Sequence, residues 1–339
     1  MLKRFIQKVV EKNHLSEAES AEAMEIIMNG EASPSQIGSF LTALRMKGET
    51  IQEITGFAKA MRARAIRIRA RNGARVVDTC GTGGDGRGTF NISTGVAFVA
   101  AGGGCTVAKH HNRSVSSQCG SADVLEALGV KYDLCPERAE ISLQEFGLAF
   151  LFAPLFHPAT KHALVPRREI RIRTVFNLLG PLTNPAGATI HLSGLYRRDL
   201  LQPIAEVLRN LGSQAAFVVH GEDQCDEISI TGKTTVCELK GGKIKTYQIE
   251  PEGVGLRKAR LEEIQGGTPE KNADILLQVL QGKPGPPLDA VLLNTAAVFV
   301  GAGKVSNLRE GVEVARESID SGRAIKKLKD LIQFSNLEE

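Results

Sequence analysis

The sequence predicts an α/β protein: a small N-terminal α-helical domain followed by a larger, doubly wound, mainly parallel α/β domain. Three observations carry this reading. Over the first 66 residues, three capping signals open apolar stripes at helical spacing. After Arg75, short apolar runs alternate with helical patterns, the texture of a parallel sheet covered by helices. The chain is also long enough, at 339 residues with 42% hydrophobic and 24% charged, for about two ordinary domains with real cores.

The helical part comes first. Ser16-x-x-Glu19 is a capping box, and the helix it opens stops at Asn29-Gly30. Ser33-Pro34 places an N-cap and a proline at the first helical position, with Gln36 at N3 and Gly48 as the stop. Thr50-x-x-Glu53 leads into Ile51, Ile54, Phe57, Ala58 and Met61. Three short amphipathic helices cannot bury all their apolar faces alone, so they pack on the rest of the chain or on a second subunit. Arg62 to Arg75 is a basic run, read as a solvated helix end and linker rather than an anion patch.

In the second part the expected strands are Val76–Cys80, Cys105–Lys109, Ala149–Phe152, Ile190–Tyr196 and Ala215–His220. Helices are expected at Asp123–Leu128, Glu137–Glu145 and Leu200–Leu211. Residues 228–250 break the rhythm and read as antiparallel strands with turns at Gly232 and Gly241-Gly242. The chain ends in a Lys-rich amphipathic helix, Arg323–Phe334. The domain division is 1–70 and 71–339, with a helical segment at about 157–180 returning to the first domain.

Composition excludes several classes. Forty-two Lys and Arg against 38 Asp and Glu leave a net charge of +4, too small for a protein that coats nucleic acid. Any phosphate site must be local. No apolar run approaches the roughly 20 residues of a membrane span. The charged start, MLKRFIQKVVEKNH, is not expected to be a signal peptide. Six cysteines without a CxxC pair read as reduced thiols in a cytoplasmic protein.

Residues 78–94, DTCGTGGDGRGTFNIST, follow a strand and lead into a helix. Gly81, Gly83 and Gly86 fit a dinucleotide fingerprint formally. That motif, however, wants an acid about 20 residues on, and from Arg87 to Ala122 there is none. The acid-free stretch instead holds Arg87, Lys109, His110, His111 and Arg113, with Asn91, Ser93, Thr94, Asn112, Ser114, Ser116 and Ser117. Glycine N–H groups, hydroxyls and cations near a helix start make an anion site, and phosphates are its obvious guest. Gly232-Lys233-Thr234 is no phosphate loop, because Glu227 stands where a glycine is needed.

His220 to Glu227 carries four acids in six residues after a strand: Glu222, Asp223, Asp226 and Glu227. Such crowding calls for solvent or a cation, and oxygen ligands without clustered histidine favour Mg²⁺ over zinc. Residues 157–187 hold Arg167, Arg168, Arg171 and Arg173 with one acid, Glu169. An arginine facing a cleft can clamp a carboxylate bidentately. His157 and His162 lack a third ligand and read as structural.

Together GTGGD (81–85), NIST (91–94), KHxNR (109–113), GSADVLEALG (120–129), HPA (157–159), RTxFNxLGPLxNP (173–185) and Asp226-Glu227 resemble the anthranilate phosphoribosyltransferase family, over nearly the whole chain. The resemblance implies the nucleoside-phosphorylase type of fold, a homodimer through the N-terminal helices, and transfer of a phosphoribosyl group from phosphoribosyl diphosphate to anthranilate in tryptophan biosynthesis. It implies that Gly81, Thr82, Gly83, Gly84, Asp85, Thr89, Asn91, Ser93, Thr94, Lys109 and Cys119 line the diphosphate site. Asp226 and Glu227, with Ser93, would hold Mg²⁺, two ions per subunit. Gly81, His110, Asn112, His157, Arg167, Gly180 and Pro181 would form the anthranilate site. Asn112, Arg167 and Lys109 are the implied catalytic residues.

The chain departs from the family pattern in places. His111 stands where glycine is usual, an imidazole beside Asn112 that could narrow the acceptor pocket, and the sequence leaves its effect open. Cys119 replaces serine, a better donor. Thr160 replaces a larger residue, Arg171 replaces glycine, and Cys225 replaces leucine. The alternatives are a relative with another aromatic acceptor, a nucleoside phosphorylase relative, or a non-catalytic relative that binds nucleic acid; the retained Asp226-Glu227 pair opposes the last. No membrane partner is expected.

Overall fold

The computed structural model describes residues 1–113 and 118–337, so Ser114, Ser116 and Ser117 lie outside the described residues. Four helices precede the sheet: α1 (Lys3–Val10), α2 (Glu17–Met28), α3 (Pro34–Lys47) and α4 (Ile51–Arg64). All three expected capping boxes form, at Ser16/Glu19, Ser33/Gln36 and Thr50/Glu53. Helix α1 was not expected as a separate helix. Leu2 occupies its N-cap position and offers no side-chain cap, so the sequence carries no start signal there. Phe5 and Val9 are buried, and α1 packs on α3.

The sheet has seven strands: β1 (Val76–Asp78), β2 (Thr106–His111), β3 (Leu148–Phe152), β4 (Ile190–Gly194), β5 (Ala215–Gly221), β6 (Thr234–Lys240) and β7 (Lys243–Ile249). Their order is β3-β2-β1-β4-β5-β6-β7. The first five are parallel, and β6 and β7 add antiparallel to the β5 edge. Gly241 and Gly242, at φ 56° and 76°, close the β6–β7 hairpin as expected. Residues 228–233 are not the strand the alternation suggested. Ile228 and Ile230 are buried, but the Ile228 backbone N–H is taken by the side chain of Asn294 rather than by a neighbouring strand.

Alternate residues of each strand face opposite layers, as a two-sided parallel sheet requires. On one face Val77, Val107, Phe150, Ile190, Leu192, Phe217 and Val219 share a core with α5 (Ile92–Gly102) and α6 (Ser121–Ala127). On the other face, Val76, Ala108, Ala149 and Leu151 pack with α7 (Pro136–Phe146) and with Phe156 of the short α8 (Ala153–Phe156). Ala216 and Val218 join the core that holds the N-terminal helices, α9 (Lys161–Ile170), α10 (Phe176–Leu179) and α11 (Leu201–Asn210). Helix α9 rests on α2 and α3. The first face is completed by α12 (Pro269–Leu280), α13 (Pro286–Gly301), α14 (Leu308–Asp320) and α15 (Arg323–Ser335). No helix among the described residues is long and apolar enough to cross a membrane.

The basic run after α4 is only partly the solvated linker expected of it. Arg62 is largely buried; its Nε donates to the Leu182 carbonyl at 2.6 Å and its Nη1 to the Leu211 carbonyl at 3.2 Å. It ties the helical unit to the α10 and α11 ends rather than facing water.

Candidate functional site

The strand order reverses between β1 and β4, since β2 and β3 lie to one side and β4 and β5 to the other. In open α/β sheets, ligands bind beyond the carboxyl ends of the strands at that reversal. Three described segments singled out in the sequence end there. The glycine loop leaves β1, His110 and His111 end β2 with Asn112 following, and the acidic loop leaves β5.

The glycine loop is shaped by backbone. Gly83, Gly84, Gly86 and Gly88 have φ between 65° and 76°, the left-handed region that glycine enters without steric cost. At the crossing with β4, the Thr82 N–H donates to the Gly194 carbonyl at 2.9 Å. A side chain on Gly194 would place its Cβ 1.3 Å from the Asp226 carbonyl oxygen, so only glycine lets β1, β4 and the acidic loop meet. On its far side the loop is held by 264–266: Gly266 N–H donates to Gly88, Phe90 N–H donates to Ile264, and Thr89 bridges to Gln265.

Helix α5 begins at the end of this loop. Asn91 at its N-cap accepts from Asn272 Nδ2 at 2.9 Å and from the Cys119 thiol at 3.4 Å. The Thr94 hydroxyl is buried and has no hydrogen-bond partner among the described residues. Lys109 is buried and donates Nζ to the Thr79 carbonyl at 3.1 Å. Behind it lies buried Asp78, which accepts from Asn184 Nδ2 at 2.7 Å and from the His110 N–H at 3.1 Å. Burial pushes the Asp78 carboxyl up to about 6, against the pull of Asn184 and Lys109.

The acidic loop faces the glycine loop across a short gap. Asp85 Oδ2 accepts from the Asp226 N–H at 3.3 Å, and Asp85 Oδ1 accepts from the Arg87 N–H at 3.0 Å. Burial raises the Asp226 and Glu227 carboxyls, against the downward pull of the Gly83 and Ser93 backbone N–H groups; the Asp85 charge raises Asp226 further, and the Asp226 charge raises Glu227. Three crowded carboxyls, two of them held up in this way, are a donor set that fits a hard divalent cation. Asp223 does not join them: it accepts from Ser229 and Thr231 and braces the loop from behind.

The acceptor-side residues divide. His110 Nδ1 contacts the Gly180 carbonyl at 2.9 Å, and its ring stands 5.1 Å from that of His157. Both imidazoles are buried, which pushes them down to about 4 and about 3, so both are neutral at ordinary pH. Pro181 is buried beside Gly180. Arg167, on α9, stacks over Phe176 at 4.9 Å, and no carboxylate pairs with it among the described residues. Asn112 stands apart: it is exposed, and its Oδ1 accepts from the adjacent Arg113 N–H.

The His111 ring turns away from His110 and Gly180. Adjacent strand residues point to opposite faces, so with His110 turned toward Gly180, the His111 ring turns to Phe150 and Phe152, at 5.9 and 5.6 Å. Sequence reasoning missed Asp78, Asn184, Asn272 and Arg173 as supports of the site. Asp78, Asn184 and Arg173 lay inside quoted motifs, but their partners are far away in the chain; Asn272 carried no local signal at all.

Residues 3–65 match the helical bundle domain of the glycosyl transferase family, and residues 73–325 match its a/b domain. An anthranilate phosphoribosyltransferase of Moorella thermoacetica is 57% identical over 334 residues, covering 98% of each chain. The crystal structure of the Thermus thermophilus anthranilate phosphoribosyltransferase superposes with a TM-score of 0.93 at 45% identity, covering 98% of this chain and 99% of that one. The Saccharomyces cerevisiae enzyme, solved in complex with PRPP and Mg, gives 0.90 at 31% identity over 98% and 97%. The chain therefore belongs to the glycosyl transferase family built from these two domains and, within it, to the anthranilate phosphoribosyltransferases.

Proposed function

We propose that this protein transfers the phosphoribosyl group of phosphoribosyl diphosphate to the amine of anthranilate, a step of tryptophan biosynthesis. The products are phosphoribosylanthranilate and diphosphate. The observation that carries the reading is the meeting of the glycine loop, the α5 start and the acidic loop at the strand-order reversal, with an unpaired Arg167 and the His110–His157 wall on the acceptor side.

In the reaction the bond from ribosyl C1 to diphosphate breaks, a bond from C1 to the amine nitrogen forms, and the amine gives up a proton. The backbone of Gly81, Thr82, Gly83 and Gly84 cradles the diphosphate with Asp85, Thr89, Asn91, Ser93, Thr94, Lys109 and Cys119 around it. Two Mg²⁺ ions per subunit, held by Asp226 and Glu227 with Ser93, would supply positive charge against the diphosphate leaving group. Lys109 adds a fixed cation on the same side. Arg167 grips the anthranilate carboxylate, which is why it carries no internal partner. Gly81, His110, His157, Gly180 and Pro181 wall the ring, the two neutral imidazoles adding no charge to compete with Arg167. Asn112 orients the amine. Anthranilate's amine attacks as the neutral base, so the protein's work is positioning and charge stabilisation rather than strong base catalysis.

The same reading places the protein in the cytoplasm as a homodimer of two-domain subunits, 1–70 with the 157–180 segment and 71–339. Exposed Val10 on α1 and Met46 on α3 support a subunit contact through the N-terminal helices. Light scattering on the eluted protein tests that assembly. The reaction is tested by anthranilate fluorescence: with phosphoribosyl diphosphate and Mg²⁺ the signal should fall, and without metal it should persist. A signal that persists with all three components present would overturn the acceptor.

A further inference from the structure

One group in the acidic loop has no part in that chemistry. Cys225 is 1% exposed, and its sulfur makes no hydrogen bond among the described residues. The sulfurs of Cys80, Cys119 and Cys237 each have a partner, at Gly81, Asn91 and Thr246. Cys225 is also fixed by its backbone. Its N–H donates to Asp223 Oδ1 at 3.1 Å and its carbonyl accepts from Gly221 at 2.9 Å, after a turn in which Gln224 takes φ 67°. The result aims Sγ at the two carboxyls that face each other across the loops. Cys225 Sγ, an Asp85 carboxylate oxygen and an Asp226 carboxylate oxygen all lie within 4.8 Å of one another.

We propose that Asp85, Cys225 and Asp226 form a second, mixed sulfur–oxygen site that takes a thiophilic divalent cation of the zinc class. The donor chemistry separates it from the diphosphate-linked metal. A hard cation such as Mg²⁺ takes oxygen ligands and gains nothing from a thiol, whereas zinc and cadmium bind thiolate with carboxylate. Tetrahedral metal–ligand bonds of about 2.0–2.3 Å set neighbouring donors roughly 3.3–3.8 Å apart, so the three side chains, within 4.8 Å of one another, draw in by small rotations to hold one ion. On binding, the metal–sulfur bond forms and the Sγ–H proton leaves to solvent, as a coordinating thiol requires.

Asp226 belongs to both sites. A thiophilic cation that engages it withdraws that carboxylate from the Mg²⁺-diphosphate arrangement, so the two modes of occupancy exclude each other. This consequence rests on the proposed reaction; the binding itself does not.

The test is a cadmium titration of the metal-stripped full-length protein, followed by ultraviolet absorption. A sulfur-to-cadmium charge-transfer band should grow and saturate at one equivalent. It should be absent in Cys225→Leu, and the affinity should be at least tenfold weaker in Asp85→Asn. Cys225→Ser, close in size to the native residue, repeats the test if the leucine variant fails to fold. A band of undiminished amplitude in either cysteine variant assigns the sulfur elsewhere and overturns the proposal. Cadmium uptake by the wild-type protein without any band, through carboxylates alone, overturns it too. In the transfer assay, Zn²⁺ should slow the wild-type protein at least tenfold, and excess Mg²⁺ with phosphoribosyl diphosphate should relieve it. A saturated band with an unchanged transfer rate would overturn the shared use of Asp226. Absence of transfer before any zinc is added would instead overturn the proposed reaction and leave the metal site standing.

Discussion

Arg173 donates from its guanidinium to the carbonyl of Gly84 while lying 3.9 Å from the ring centroid of Tyr196. The contact spans 89 residues and joins the end of the returning helical segment to the crown of the glycine loop. Gly84 sits at φ 76°, so the loop there has no side chain of its own to hold it. A planar guanidinium can stack and donate at once; an ammonium cannot do both in the same geometry. Arg173→Lys should therefore loosen the loop, raising the KM for phosphoribosyl diphosphate about tenfold, the equivalent of one charge-assisted hydrogen bond of ~1.5 kcal/mol. Initial rates at varied diphosphate substrate measure this. An unchanged KM would show that the loop holds its shape without Arg173.

Arg167 provides the corresponding prediction on the acceptor side. Its guanidinium is largely buried, which lowers its pKa, and it stacks on Phe176 without a carboxylate partner. A buried cation left unpaired is costly unless a ligand anion completes it. Arg167→Ala should raise the anthranilate KM roughly 100-fold, as expected for losing a bidentate charge-assisted pair. The KM for phosphoribosyl diphosphate should stay within about twofold. Equal losses in both KM values would mean that the variant disturbs the fold rather than one ligand.

What the sequence made legible was local. The capping boxes at Ser16, Ser33 and Thr50 each lie within four residues, and each formed. The strand-then-helix rhythm likewise placed the glycine loop and the acidic loop at strand ends. What it hid was long-range. Asn184 reaches Asp78 across 106 residues, and Asn272 reaches Asn91 across 181. Periodicity and spacing carry no record of such pairs. Arg62 misled for the same reason: in a run of arginines it reads as surface, and only the carbonyls of Leu182 and Leu211 reveal it as an internal tie. His111 needed the register of β2, because only the alternation with His110 shows which face its ring joins.

His191 gives a pH-dependent prediction. It is buried on β4 beside Arg62, and burial, aided by that positive charge, pushes the imidazole down to about 3. In the unfolded chain it titrates near 6.5. Between those values the unfolded state holds the extra proton, so stability that is full above pH 6.5 is lost as pH falls. At pH 5 this one residue costs roughly 2 kcal/mol. His191→Gln cannot titrate and should lose about that much less between pH 7 and pH 5. Urea unfolding of both proteins at the two pH values isolates the difference, whatever the variant's stability at pH 7. Parallel losses in the two proteins would mean that His191 is hydrated in the native state.

Arg171 is a residue out of keeping with its backbone. It caps the C-terminal end of α9 at φ 49° and ψ 25°, a left-handed conformation that costs a side chain about 1–2 kcal/mol and that glycine enters freely. The side chain is exposed and makes no ion pair among the described residues, so nothing visible offsets that strain. Glycine is the residue the geometry asks for at this position. Arg171→Gly should raise stability by about 0.5–1 kcal/mol, the relief of strain less the entropy that glycine adds to the unfolded chain. Thermal unfolding should show a higher midpoint. Because α9 also carries Arg167, the anthranilate KM should be measured alongside it. A rise in midpoint with an unchanged KM identifies Arg171 as a strained cap. A fall in midpoint would mean that the arginine makes a contact in solution worth more than the strain it bears.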